Sequence, residues 1–108
     1  MISYIYAIAS SPDGPTKIGI SVHPARRVRQ LQTGRSDILT VYYQEPIPAE
    51  KAQLMERVIH RENRHLRLKG EWFEMPVEAA IQEIKHSMIR FESEVETLAS
   101  IRRVDESR

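Results

Sequence analysis

Two short apolar segments separated by a turn, and followed by a run of arginines, constrain the fold of this chain more than any other feature. Residues 3–9 are rich in aromatic and β-branched side chains, and residues 17–21 repeat that pattern. Residues 10–15, between them, are dense in Ser, Pro, Asp and Gly, which favour turns. The spacing predicts an antiparallel β-hairpin. A helix should follow, because Pro24 suits a first helical position and Gly34 suits the residue after its end.

The remaining segments predict one α+β fold. Residues 38–44 have the composition of a third strand, which Pro46 and Pro48 should end. Residues 49–68, and residues from 77 to about 103, have helical periodicity. We therefore expect a three-stranded antiparallel sheet flanked by helices, with a long C-terminal helix. The predicted divisions are a domain over residues 1–76, a C-terminal helix over residues 77–104 and a frayed tail over residues 105–108.

Charge is distributed unevenly along the 108 residues, although the formal net charge is only +1. Residues 1–35 carry five basic residues and one acid, whereas residues 78–108 carry seven acids and five bases. Positive charge near one end favours contact with phosphate groups there. The absence of cysteine excludes disulfides and thiolate metal sites, and it fits a cytoplasmic protein. No apolar run has the length of a membrane span, so we expect no membrane partner.

One side of the predicted second helix carries polar groups that can do chemistry. At about 100° per residue, a carboxylate, an imidazole, an amide and a guanidinium fall together at the edge of the apolar stripe. One interpretation is a solvated helix face with an ordinary ion pair four residues apart. The other is the floor of a cleft. The residues are Glu56, His60, Asn63 and Arg67.

The order of these segments resembles the GIY-YIG nuclease superfamily over about residues 3–76. The phage-associated branch of that superfamily, often labelled a DNA-binding domain, matches in more detail. In place of the first-motif glycine this chain has Tyr4, and the late asparagine of the family has no clear counterpart, with Asn63 lying nearby. The features that carry the resemblance are Lys17-Ile18-Gly19, Leu31-Gln32-Thr33-Gly34, Glu56 with His60, and Gly70-Glu71-Trp72-Phe73.

The resemblance implies a metal-dependent endonuclease of phage or prophage type that hydrolyses DNA phosphodiesters. Glu56 would hold one Mg²⁺ or Mn²⁺, and Arg27 would clamp the phosphate oxygens. Tyr6 would position or deprotonate the attacking water. Lys17 stands where the family has a second tyrosine, and it is expected either to act as the base or only to contact phosphate. His60 could be a proton shuttle, a second metal ligand or a hydrogen-bond partner of Glu56.

Nucleic-acid contacts outside that set are expected from surface arginines, which position a phosphate backbone without reading its sequence. Trp72 and Phe73 are expected to close the core rather than to stack on bases. If Lys17 only binds phosphate, the chain is a DNA-binding module with little or no cleavage. The expected DNA-contacting residues are Arg26, Arg29, Arg35 and Arg67.

The last predicted helix has apolar residues that alternate steps of four and three, as in a coiled-coil seam. The part beyond Arg90 extends past what a small domain can cover, which favours a partner helix from a second copy and hence a homodimer. The alternative is a long helix that folds back on its own sheet. A third possible function is therefore an oligomerising interaction protein. The seam residues are Val77, Ile81, Ile84, Met88, Phe91, Val95 and Leu98.

Overall fold

Strands and helices follow each other in the order that the sequence predicts, with one short strand added. The computed structural model describes the backbone of residues 1–106 and the side chains of residues 1–92. The α+β class, the antiparallel sheet and the long C-terminal helix are confirmed. The elements are β1 (Ile2–Ala9), β2 (Thr16–Ser21), α1 (Pro24–Gln32), β3 (Thr40–Pro48), α2 (Ala49–Glu62), a 3₁₀ turn (Arg64–Leu66), β4 (Trp72–Phe73) and α3 (Val77–Glu106).

The sheet has four strands in the order β3-β1-β2-β4, and every pairing is antiparallel. The sequence predicted three strands. The added strand β4 pairs Phe73 with Thr16 and Trp72 with Lys17. A two-residue strand is too short to produce an alternating pattern, so its existence depends on pairing with β2. It covers only the first part of β2 and leaves the rest of that edge open.

Strand β3 continues through the two prolines that were expected to end it. Pro46 lies opposite Tyr4, and Pro48 lies opposite Ile2. β3 is at the edge of the sheet and pairs only with β1 among the described strands. An edge strand tolerates proline, because the position that lacks an N–H can face away from the ladder.

Helix α2 ends at Glu62, six residues before the predicted end. Asn63 is buried just after it, and its Nδ2 donates to the Ile59 carbonyl at 2.9 Å and to Glu83 Oε2 at 3.2 Å. Asn63 therefore joins α2 to α3. Arg67 lies beyond the 3₁₀ turn and bridges to Phe73, so it does not share the helix face predicted for it.

The alternating side chains of β1 build a core on each face of the sheet. Ile5 and Ala7 face α2 and α3, and they belong to the larger cluster of buried residues. Tyr6 and Ile8 point to the opposite face, where Leu39 and apolar residues of α1 cover them. Because Tyr6 is only 1 % exposed, the side of the sheet that α1 covers is closed over the phenol ring.

The first part of the α3 seam packs on the chain's own core. Val77 and Ile84 are buried, and Met88 and Phe91 pack against the larger core cluster. These residues of α3 therefore pack on the chain's own domain. The seam positions Val95 and Leu98, on which the partner helix was predicted, and the predicted tail over residues 105–108 lie outside the described side chains. No helix among the described residues is long and apolar enough to cross a membrane.

Candidate active site

Two side chains of α2 bind the open edge of β2. His60 Nε2 lies 2.8 Å from the Ile18 carbonyl, and Glu56 accepts a hydrogen bond from the Ile20 amide. A carbonyl only accepts, so Nε2 carries the His60 proton. Glu56 and His60 are four residues apart, which is about 6 Å along a helix. Ile18 and Ile20 are two residues apart, which is about 6.6 Å along a strand. The two side chains are therefore spaced to reach the two outward-facing backbone groups of β2. These contacts fix both side chains and satisfy backbone groups that β4 does not reach.

Gly19 is needed because two functional groups occupy the space of its missing side chain. It lies opposite Tyr6 in the β1–β2 ladder. A Cβ on Gly19 would lie 2.5 Å from Tyr6 Oη and 2.8 Å from Glu71 Oε2. The glycine of the Lys-Ile-Gly motif thus lets a phenol and a carboxylate meet above the strand. This close approach explains the glycine.

Lys17 is buried at 6 % exposure and is paired with an acid that sequence analysis left out of the site. Its Nζ lies 3.1 Å from Glu71 Oε2 and 5.6 Å from the centre of the Trp72 ring. A buried ammonium requires such a partner, because burial alone disfavours its charge. Although the distance is short, the two groups are not aligned for a hydrogen bond. Glu71 Oε2 is buried without a hydrogen-bond donor among the described residues.

The carboxyl group of Glu56 is half-buried next to a second acid. Burial is the main cause that raises the pKa of Glu56 to about 7. Glu71 raises it further, through its charge and through a hydrogen bond between the two side chains. The Ile20 amide and the Lys17 ammonium act in the opposite direction. Near neutral pH, the Glu56 carboxyl group is therefore protonated part of the time.

Glu56→Gln should make the stability of the metal-free protein less sensitive to pH. The folded-state pKa of about 7 exceeds the ordinary value of 4.5, so the native state binds more protons than the unfolded state between these values. Unfolding free energy therefore falls as pH rises through that window and levels off above it. Glutamine has no proton to lose, and the variant should avoid about 1–2 kcal/mol of this loss, allowing for partial exposure.

The measurement is urea denaturation of both proteins at several pH values between about 4 and 8, with a chelator present. The matched control is Glu50→Gln, because Glu50 is exposed in the first turn of the same helix. Equal pH slopes for the Glu56→Gln protein and the wild type would contradict the assignment of a shifted pKa to Glu56.

Tyr6 and Arg27 form a second pair in the site. Burial raises the pKa of the Tyr6 phenol, and a hydrogen bond from Arg27 partly opposes that rise. The charges of Glu71 and Glu56 raise it as well. The phenol is therefore protonated near neutral pH and suits positioning of a water rather than its deprotonation. Arg27 is half-buried in α1, which packs on this face of the sheet.

The fold brings the predicted catalytic residues to one edge of β2. Glu71 is the group that the sequence analysis missed, although it stands in the Gly-Glu-Trp-Phe segment that carried part of the resemblance. The available sequence signal was its position directly after Gly70, because glycine is typical of chain turns. The structure has a turn there, with a φ of +62° at Gly70. The residues that converge are Tyr6, Lys17, Arg27, Glu56 and His60, with Glu71 added.

The predicted DNA-contacting arginines differ in their surroundings. Arg26 and Arg29 are exposed on α1. Arg35 is also exposed, but its guanidinium bonds both oxygens of Asp37 at 2.8 and 2.7 Å and lies 5.1 Å from the centre of the Trp72 ring. Arg67 donates from Nε to the Gly70 carbonyl at 2.6 Å and so supports the turn before Glu71.

The two aromatic residues of β4 have different roles in packing. Phe73 is completely buried and packs edge-on against the His60 ring, with the ring centres 5.0 Å apart. Its predicted role in closing the core is confirmed. Trp72 is only partly buried; it packs on the α1 side of the sheet, and its ring also lies near Lys17 and Arg35.

The donor atoms at Glu56 fit a hard divalent cation better than a zinc ion. The described residues contain no group of three or more His, Cys, Asp or Glu side chains that could hold a metal. Mg²⁺ and Mn²⁺ accept carboxylate oxygens and retain several waters, whereas structural zinc sites use four protein ligands. The Glu56 carboxyl group lies beside Glu71, whose buried Oε2 accepts no hydrogen bond from a described residue, and this pair of acids suits Mg²⁺ or Mn²⁺.

Comparison with known proteins identifies one domain family for the chain. Searches of curated proteins and of solved structures find no significant match to the chain. The sequence profile of the T5orf172 domain matches residues 2–103, which is nearly the whole chain. This phage-associated domain occurs in GIY-YIG-like and HNH-type nuclease contexts, and it indicates DNA as a partner. The chain therefore belongs to the T5orf172 domain family.

Proposed function

We propose that this protein is a metal-dependent endonuclease of phage type that hydrolyses DNA phosphodiesters with a GIY-YIG-like active site. The observation that carries the proposal is the meeting of Tyr6, Lys17 and Glu71 around Gly19, with Glu56 hydrogen-bonded to Glu71. A phosphodiester needs positive charge on its non-bridging oxygens, an oriented water and help for the leaving oxygen. This cluster offers a group for each need.

Arg27 is the proposed clamp for the phosphate. It is half-buried and already hydrogen-bonded to Tyr6, so its guanidinium is held in a defined direction before substrate arrives. A guanidinium can bind two phosphate oxygens at once, which stabilises the added charge of a pentavalent phosphorus. The Tyr6 hydroxyl, beside Arg27, is the proposed group that orients the attacking water.

Glu56 is the proposed holder of one Mg²⁺ or Mn²⁺. When bound, such a cation supplies Lewis-acid charge and lowers the pKa of a coordinated water. The hydrogen bond from the Ile20 amide orients the Glu56 carboxylate, and His60, one turn along α2, supports the same strand edge. His60 therefore acts in this proposal as a positioning residue.

Lys17 is proposed to act mainly as a positive charge. Its Nζ lies 3.1 Å from the Glu71 carboxylate, and this ion pair favours a role as a charged donor to the phosphate or the leaving oxygen. The alternative role as a base, predicted from its position in the motif, requires the neutral amine. The two roles predict different cleavage activities for the Lys17→Arg protein.

The test is the cleavage of a supercoiled plasmid by the purified protein. With Mg²⁺ or Mn²⁺ the plasmid should be nicked or linearised, and with a chelator it should stay intact. A failure to cut plasmid or oligonucleotide with any divalent metal would leave the alternative, a DNA-binding module on the same fold. The third possibility, an oligomerising interaction protein, is favoured if the protein has no affinity for DNA at low salt. Homodimerisation through the later seam stays a prediction.

Both DNA-directed functions predict that affinity for DNA falls steeply with salt. Changing Arg26, Arg29 and Arg35 to alanine should flatten the plot of log affinity against log salt by about 0.9 for each phosphate contact removed. Fluorescence anisotropy with a labelled duplex at several salt concentrations measures this slope. Lys85→Ala, an exposed change on α3, is the control and should leave it unchanged. A triple variant with the wild-type slope would remove the basic helix from DNA binding.

A further inference from the structure

Hydrogen bonds of the Glu71 backbone and of the turn before it hold the Glu71 carboxylate in the candidate site. Its carbonyl accepts a hydrogen bond from the Ile18 amide at 3.1 Å, which fixes the residue against the outer edge of β2. The turn that precedes it is held by the Arg67 bond to the Gly70 carbonyl. The side chain then reaches over Gly19, whose missing Cβ leaves room for Oε2. The backbone position of Glu71 is thus fixed beside the site.

The charges around Glu71 leave a place for another cation. Glu56 and Glu71 lie in contact, and two such carboxylates repel each other unless positive charge lies between them. Lys17 approaches Glu71 Oε2 to 3.1 Å but does not align as a donor. A divalent cation bound to both carboxylates would relieve this repulsion.

The other polar side chains considered for the site make contacts of their own. His60 uses Nε2 on the Ile18 carbonyl, and the Asn63 amide is turned toward α3. The Tyr6 hydroxyl is hydrogen-bonded to Arg27, whose positive charge disfavours a cation beside it. Among the residues just considered, Glu71 is the one whose carboxylate can join Glu56.

We propose that Glu71 is a second ligand of the divalent cation, so that α2 and the segment before β4 each give one carboxylate to a shared metal site. The identity of the cation rests on the proposed function, but the two-carboxylate site does not require that DNA is cut. In this site Lys17 contacts Glu71, and the carboxylates of Glu71 and Glu56 would together hold the cation.

The test is a titration with Mn²⁺ in the absence of DNA, with free Mn²⁺ followed by its electron paramagnetic resonance signal. Glu71→Gln should weaken Mn²⁺ binding by at least about tenfold, as should Glu56→Gln. Glu74→Gln is the matched control, because Glu74 is an exposed acid three residues further along the same segment, and it should bind as the wild type does. Wild-type affinity in the Glu71→Gln protein, or no Mn²⁺ binding by the wild type, would overturn the inference.

A second comparison separates direct binding from an effect through Lys17. Lys17→Met removes a competing positive charge, so Mn²⁺ should bind this variant at least as tightly as the wild type. If Glu71 is a ligand, adding Glu71→Gln to Lys17→Met should still weaken binding by about tenfold. If Glu71 acts only by restraining Lys17, the double variant should bind as Lys17→Met does, and the inference is wrong.

Failure of this inference and failure of the proposed function give different results. If Glu71→Gln binds Mn²⁺ and cuts DNA like the wild type while Glu56→Gln does neither, the two-carboxylate site is wrong and the nuclease stands. If no DNA is ever cut but Mn²⁺ binding depends on both Glu71 and Glu56, the metal site stands and the nuclease proposal fails.

Discussion

Replacing Glu56 with alanine should abolish metal-dependent cleavage of supercoiled DNA while sparing DNA binding. The carboxylate is the proposed ligand of the cation, and its loss removes both the activated water and charge on the phosphate. We expect cleavage to fall by at least about a hundredfold to a thousandfold, the scale for loss of one group that acts on the transition state. The exposed arginines of α1 are untouched, so affinity for duplex DNA should change little.

Plasmid nicking with Mg²⁺ or Mn²⁺ and anisotropy with a labelled duplex measure the two expected results. Glu50→Ala is the control on the same helix and should cut like the wild type, since Glu50 is exposed in the first turn of α2. If the Glu56→Ala protein cuts as fast as the wild type, any nuclease in the preparation is a contaminant or uses another site.

Replacing Lys17 with methionine should also remove cleavage, by at least about a hundredfold. Methionine has a similar length and no charge, so it keeps much of the buried stem and deletes only the ammonium. The expected loss is the same whether Lys17 is a charge or a base. Plasmid nicking measures it, with Lys85→Met on α3 as the control. Near-normal cleavage by Lys17→Met would exclude Lys17 from the chemistry.

Lys17→Arg separates the two roles. Arginine keeps the positive charge but does not give up its proton, so it cannot be a base. If Lys17 acts as a charge, the arginine variant should recover part of the activity that methionine loses. If Lys17 is the base, both variants should be equally inactive. Thermal unfolding of both proteins checks that the change at this buried position has not unfolded the chain.

Hydrogen bonds and periodicity that are local in the chain made the first half of the fold predictable. The turn-rich segment between two apolar runs predicted the β1–β2 hairpin. Pro24 and Gly34 bounded α1, which the structure has from Pro24 to Gln32, and Gly34 has a positive φ of 81°. The resemblance to the GIY-YIG superfamily implied that Tyr6 and Arg27 would face one site.

Where the prediction failed, long-range contacts had overridden local signals. Pro46 and Pro48 looked like strand breakers, but the edge position of β3 accommodates them. Asn63 continues the helical pattern of α2, yet its amide bonds to Ile59 and Glu83 fix it where the helix has ended. A pattern read along the chain contains no information about which edge or neighbouring helix a residue will meet.

The sequence by itself determined the types of element and their order, because these depend on local propensity and spacing. The residue types of the site followed from the motifs that carry the family resemblance. Only the tertiary structure decided which groups touch. His60 meets the Ile18 carbonyl across 42 residues, and Glu71 reaches Lys17 only because β4 pairs with β2. The raised pKa of Glu56 has the same origin, since burial and a neighbouring carboxylate exist only after the chain has folded.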